Sequence, residues 1–152
     1  MAKFEGIELI INVELIPQTM WRVNLRSELP HKWNEIRKNV YKNAGYKCEI
    51  CGGKGSKHPV EAHELWSYDD VQKIMFLDKV IALCPMCHSC YHLGFASVQG
   101  KVDNALKHLQ KINGFKDKEQ MERYGNFVWN TWRRRSKFNW RLDISKAKKY
   151  FE

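Results

Sequence analysis

Residues 84–92 read CPMCHSCYH, three cysteines and two histidines within nine positions. Together with CEIC at positions 48–51, this stretch restricts the fold more than any other in the chain. A Cys-x2-Cys turn brings two sulfurs within reach of one ion, and two such turns complete a tetrahedral shell of thiolates. Cys48, Cys51, Cys84 and Cys87 are therefore expected to hold a structural Zn2+, the natural occupant for four thiolates without a redox task. Reduced core cysteines would not favour Gly52-Gly53 beside the first pair. A redox role would not need two pairs. The 32 residues between Cys51 and Cys84 exceed the roughly 15–20 of a simple zinc ribbon, so an inserted segment is expected between the knuckles.

With four sulfurs committed to one ion, Cys90 is spare, and His88 and His92 are free. Their i, i+4 spacing places both imidazoles on one helix face, within reach of a second ion. His63, on the inserted segment, is the expected third ligand. The remaining histidines read differently: His58 as a loop residue beside Pro59, and His31 and His108 as helix-surface residues.

A chain of 152 residues with 43% apolar composition is expected to fold as one globular domain. Its longest apolar run, IELIINVELI, is interrupted by Glu8, Asn12 and Glu14. No window approaches the roughly 20 apolar residues of a membrane span. The opening MAKFEGIEL lacks the layout of a signal peptide. A reducing cytoplasm without a membrane partner is the expected setting, where paired cysteines favour metal over disulfides.

Charge is uneven. Residues 1–95 hold 12 Lys/Arg against 11 Asp/Glu, whereas residues 96–152 hold 14 against 6. A basic C-terminal third is the electrostatic footprint of a nucleic-acid partner, or else a solvated surface that serves solubility. Arg133, Arg134, Arg135, Lys137 and Arg141 are the expected phosphate contacts, with a solvated helix end as the plainer reading.

The pattern of elements is α+β. IELIINVELI reads as a strand, and MWRVNLRS as a second extended piece able to pair with it. A helix is expected from about Pro30 to Asn43, with Gly45 near its C-cap. VEAHELW and VIALC read as short strands, while SYDDVQKIMFLDK between them offers little pattern. VDNALKHLQKIN and KDKEQMERYGNFVWNTWRRRS read as amphipathic helices, the first closed by Gly114. WRLDI reads as a short strand and SKAKKYF as a helical tail. The expected organisation is a single domain, 1–152, with a metal-binding core at 45–94. An N-terminal strand and helix extension (1–44) and a basic helical region (95–152) flank it.

The order Cys-x2-Cys, Glu-x-His, Leu-Cys-x2-Cys-His-x3-His resembles the zinc-containing branch of the HNH (ββα-metal) endonucleases. It is carried by Cys48, Cys51, Glu61-Ala62-His63, Leu83-Cys84, Cys87-His88 and His92, and covers about Gly45 to Gly94. The resemblance implies two strands and a helix gripping one divalent ion, with the thiolates holding a separate zinc. His63, His88 and His92 would be ligands of the catalytic ion, which could be Mg2+, Mn2+, Ni2+ or Zn2+. It further implies metal-assisted hydrolysis of a phosphodiester. This chain departs from the pattern twice. Glu64 stands where a base histidine is usual, and Lys79 where an asparagine is usual. Glu64 could instead bind the ion, and a register with His63 as base and Glu61 or Glu64 as ligand stays open.

Three functions follow as expectations. The first is a metal-dependent DNA endonuclease using His63 and Glu64. The second is a catalytically silent HNH-like module that binds DNA or a protein partner, as an adaptor or a phage-type inhibitor. The third is a zinc-stabilised structural domain.

Overall fold

The computed structural model describes residues 2–152 as a mixed α+β chain. β1 (Lys3–Phe4) and β2 (Ile7–Glu8) form a minimal hairpin, turned by Glu5 and Gly6 at positive φ. A 3-10 turn at Gln18–Met20 leads to α1 (Leu25–Glu28) and α2 (Trp33–Asn43). The central hairpin pairs β3 (Glu61–Asp69) with β4 (Ile74–Leu83), and α3 (Pro85–Tyr91) follows at once. α4 (Leu93–Val98), α5 (Val102–Asn113) and α6 (Lys118–Arg135) complete the helices. β5 (Arg141–Asp143) adds to β4 in parallel, and a 3-10 turn at Ser145–Tyr150 ends the described chain.

The hairpin divides two cores. Side chains alternate across a strand, so Leu65, Ile81 and Leu83 face a core shared with α3, α5 and α6. Ala62, Trp66, Val80 and Ala82 face the opposite core, under α2 and the C-terminal turn. β3 lies at one edge of the sheet order β3-β4-β5, which leaves its outer side open to a cleft.

The N-terminal expectation fails in an instructive way. Of IELIINVELI only Ile7–Glu8 is strand, although Leu9, Ile11 and Val13 are buried in alternation. The segment is an extended strap whose backbone groups are satisfied by side chains rather than by a ladder. Asn113 Oδ1 accepts from the Ile11 N–H at 2.8 Å, and Asn113 Nδ2 donates to the Ile11 carbonyl at 2.9 Å. The Tyr124 hydroxyl accepts from the Val13 N–H at 2.8 Å, and Trp132 Nε1 donates to the Ile16 carbonyl at 2.9 Å. Alternation thus reports burial of an extended chain, not its partner. MWRVNLRS is not a pairing strand either. Asn24 and Ser27 form a capping box, with Asn24 Oδ1 accepting from the Ser27 N–H at 2.8 Å, and the chain turns into α1.

Other elements shift less. α2 starts at Trp33 rather than Pro30, and the tail is 3-10 rather than α. SYDDVQKIMFLDK contains the end of β3, the turn and the start of β4. A register shift between Leu65 and Trp66 interrupts the alternation that would have announced this hairpin.

Candidate metal centres

Four sulfurs meet where the loop after α2 touches the start of α3. The ligand atoms of Cys48, Cys51, Cys84 and Cys87 all lie within 4.8 Å of one another. Cys51 Sγ is 3.6 Å from Cys84 Sγ. A tetrahedral shell with Zn–S near 2.3 Å has S···S edges of about 3.8 Å, so the spacing suits one ion. Both turns aim N–H groups at sulfur: Cys51 N toward Cys48 Sγ at 3.5 Å, and Cys87 N toward Cys84 Sγ at 3.4 Å. Burial opposes ionisation of Cys48, yet these N–H donors outweigh it and bring the thiol down to about 7. Gly55 closes the loop against α3. A Cβ there would lie 2.2 Å from the His58 carbonyl oxygen and 2.7 Å from Pro85 Cδ. Cys90 belongs to neither cluster; its buried thiol reaches the Ala105 carbonyl at 3.4 Å, and burial pushes it up to about 12.

One contact escaped the sequence reading. His108, expected on a helix surface, brings Nε2 to 3.2 Å from Cys87 Sγ. A thiolate there accepts the imidazole N–H, and α5 thereby supports the four-sulfur cluster from outside it. The i, i+1 and i−3 neighbours of His108 on α5 (Leu109 and Ala105 buried in the core) hinted that this face of the helix looks inward.

The second cluster joins the hairpin to α3. His63 rises from β3, His88 lies on α3 and His92 caps it, and one nitrogen from each lies within 4.8 Å of the others. His88 Nε2 and His92 Nε2 are 3.1 Å apart. Nitrogens bound to one ion at about 2.1 Å are separated by roughly 3.0–3.4 Å, the range from octahedral to tetrahedral angles. Burial first, then repulsion between the rings, lowers His63 to about 2 and His92 to about 4. Both imidazoles are therefore neutral at pH 7, the form that donates a lone pair. Glu61 Oε2 accepts a hydrogen bond from His88 Nδ1 at 2.7 Å, which leaves His88 Nε2 unprotonated and facing the other two rings. Glu61 shares His63's strand face two residues away, and that spacing was the available signal for its role.

The histidines border a cleft of about 670 Å³ that also reaches Arg26, Glu64 and Lys79. Lys79 pairs with Leu65, placing it on the same sheet face as His63. Glu64 points to the other face, level with Val80, and its carboxylate accepts the Leu25 N–H at the start of α1. Burial raises its pKa against the lowering effect of that N–H.

The C-terminal basic residues lie elsewhere. None of Arg133, Arg134, Arg135, Lys137 and Arg141 borders the histidine cleft. Arg135 is 9% exposed and is bonded to Glu14 and Asp70. Arg133 lies over the Trp129 ring at 5.3 Å, while Arg134, Lys137 and Arg141 are exposed. No helix among the described residues is long and apolar enough to cross a membrane. No protein-family model, curated protein or solved structure matches this chain.

Proposed function

We propose that the protein is a metal-dependent phosphodiester hydrolase acting on nucleic acid, DNA in the first instance, and that its four cysteines hold a structural Zn2+. The observation that carries this reading is the second cluster. Three neutral imidazoles converge beside an open cleft, and one of them is oriented by the Glu61 carboxylate. A structural site closes its shell with protein ligands, whereas three ligands beside a cleft leave room for substrate. A divalent ion bound there would supply Lewis acidity toward a phosphate oxygen and the leaving oxygen. Mg2+, Mn2+, Ni2+ and Zn2+ are the candidates, and three nitrogen donors favour the last two.

His63, His88 and His92 would supply those donors, and Glu61 would keep the His88 proton on Nδ1. Lys79 would place positive charge toward a bound phosphate. Glu64 is the proton acceptor of this scheme. A carboxylate with an ordinary pKa is a weak base at pH 7, and burial moves Glu64 in the useful direction. The HNH-like arrangement of hairpin and helix suggested by the cysteine and histidine order is the fold-level expression of the same proposal.

A second reading has its own observation. Glu64 is engaged by the Leu25 N–H and stands on the opposite strand face from His63. This favours a catalytically silent module that keeps the metal sites and binds nucleic acid or a protein partner. Incubation of supercoiled plasmid with metal-free protein plus each ion separates the two. Hydrolysis predicts nicking that disappears in His63→Ala and His88→Ala, and falls by about 10²–10⁴ in Glu64→Gln. Salt-sensitive binding without nicking under every ion selects the silent module.

A further inference from the structure

The cleft does not end at the histidines. A second cavity of about 540 Å³ adjoins it between α1, α2 and the start of β3, and Arg26, Trp33, Ala62 and His88 border both. The two arms differ in charge. The arm toward Asp78 holds Glu14, Glu64 and Asp78 against Lys79. The arm along α2 holds Arg26 and Arg37 against Glu61, whose carboxylate is already bonded to His88. Neither arginine forms a salt bridge with an acid among the described residues. Arg37 Nε donates only to Asn34 Oδ1, at 3.0 Å, on its own helix. Trp33 adds a buried Nε1–H with no acceptor among the described residues.

Unpaired guanidiniums beside a hydrogen-bonding wall are the side chains that take a phosphate, through planar forked donation. A polyanion leaving the histidines would be repelled by the carboxylates of one arm and drawn along the other. We propose that the α1–α2 arm is a phosphate subsite for nucleic acid. In it Arg26 and Arg37 hold a backbone phosphate next to the one presented to His63, His88 and His92. This rests on the nucleic-acid reading above. It moves the principal phosphate contact away from the C-terminal arginines and onto two residues of the otherwise nearly neutral N-terminal part of the chain.

The test is binding rather than cleavage, so that it does not depend on the base. Fluorescence anisotropy of a labelled DNA oligonucleotide is followed with the zinc-loaded full chain, without an added second ion, over a series of salt concentrations. Arg26→Ala/Arg37→Ala is compared with Arg133→Ala/Arg134→Ala, which removes the same charge, and thermal midpoints confirm that both are folded. The α1–α2 double variant is expected to bind roughly tenfold more weakly at low salt. Its slope of log affinity against log salt should fall by about one to two, at about 0.9 per phosphate lost. The C-terminal double variant should change both quantities less. Arg26→Lys/Arg37→Lys should restore most of the salt slope, because a lysine keeps the charge. Equal losses in the two alanine pairs, or wild-type affinity in Arg26→Ala/Arg37→Ala, overturns the subsite and leaves the nucleic-acid reading standing. A wild-type chain that binds no DNA at low salt overturns both.

Discussion

At the scale of single residues, the two metal clusters are held by contacts that no ligand list contains. Glu61 fixes the tautomer of His88, and His108 meets the sulfur of Cys87. Neighbours of this kind orient the ligand and tune its basicity, and losing one typically costs 10- to 100-fold in metal affinity. His108→Ala should therefore release zinc to a chromogenic chelator about tenfold faster than wild type, with the second cluster unaffected. An unchanged release rate would make the His108 contact incidental. The cysteines and metal-site histidines could be read from the chain because their spacing is local: a two-residue turn, or one helical turn. Glu61 and His108 could not, because their partners are supplied by tertiary packing across 27 and 21 residues.

At the scale of elements, the strap at residues 9–16 shows where sequence periodicity stops being informative. The alternating burial of Leu9, Ile11 and Val13 is a true signal of extended chain. What satisfies its backbone is Asn113, more than a hundred residues away, which bonds both the N–H and the carbonyl of Ile11. Asn113→Ala leaves two buried backbone groups without partners and should destabilise the fold by about 3 kcal/mol in urea denaturation. A loss well under 1 kcal/mol would mean that water replaces the amide. The central hairpin was half legible for a related reason: the register shift after Leu65 breaks the period exactly where the turn approaches.

The C-terminal end of α6 supplies a second test at this scale. Arg135 ties α6 to Glu14 of the strap and to Asp70 at the hairpin turn. The Arg135 hydrogen bond holds the Asp70 carboxyl below its ordinary range, against a smaller effect of burial. A folded-state pKa below the unfolded value contributes stability that is full above the unfolded pKa and lost as pH falls through the folded one. Asp70→Asn should thus be less stable than wild type at pH 5 and above. The deficit should shrink as pH falls from about 4 toward 2, read from urea midpoints. A deficit that does not vary with pH would contradict an ion pair at this position.

For the whole molecule, the fold acts as a frame that presents two different metal environments on the two sides of one short helix. The four-cysteine cluster staples the loop after α2 to the start of α3, while the histidine cluster joins the same helix to β3. Charge is distributed against the simple expectation. The basic surplus of residues 96–152 lies away from the cleft, and one of its arginines is consumed by the core. The residues nearest the histidines come instead from the less charged part of the chain. Composition reports how much charge a chain carries, but only the fold decides which of it faces the site.

The division between a closed sulfur cluster and an open histidine cluster is tested most directly by counting ions. Native mass spectrometry of the chain, stripped of metal and reloaded with Zn2+, should give two ions per wild-type molecule. The His63→Ala/His88→Ala variant should keep one, and Cys48→Ser/Cys84→Ser should lose the tightly held ion and much of the folded structure. One ion in both wild type and the histidine variant would contradict a second metal centre.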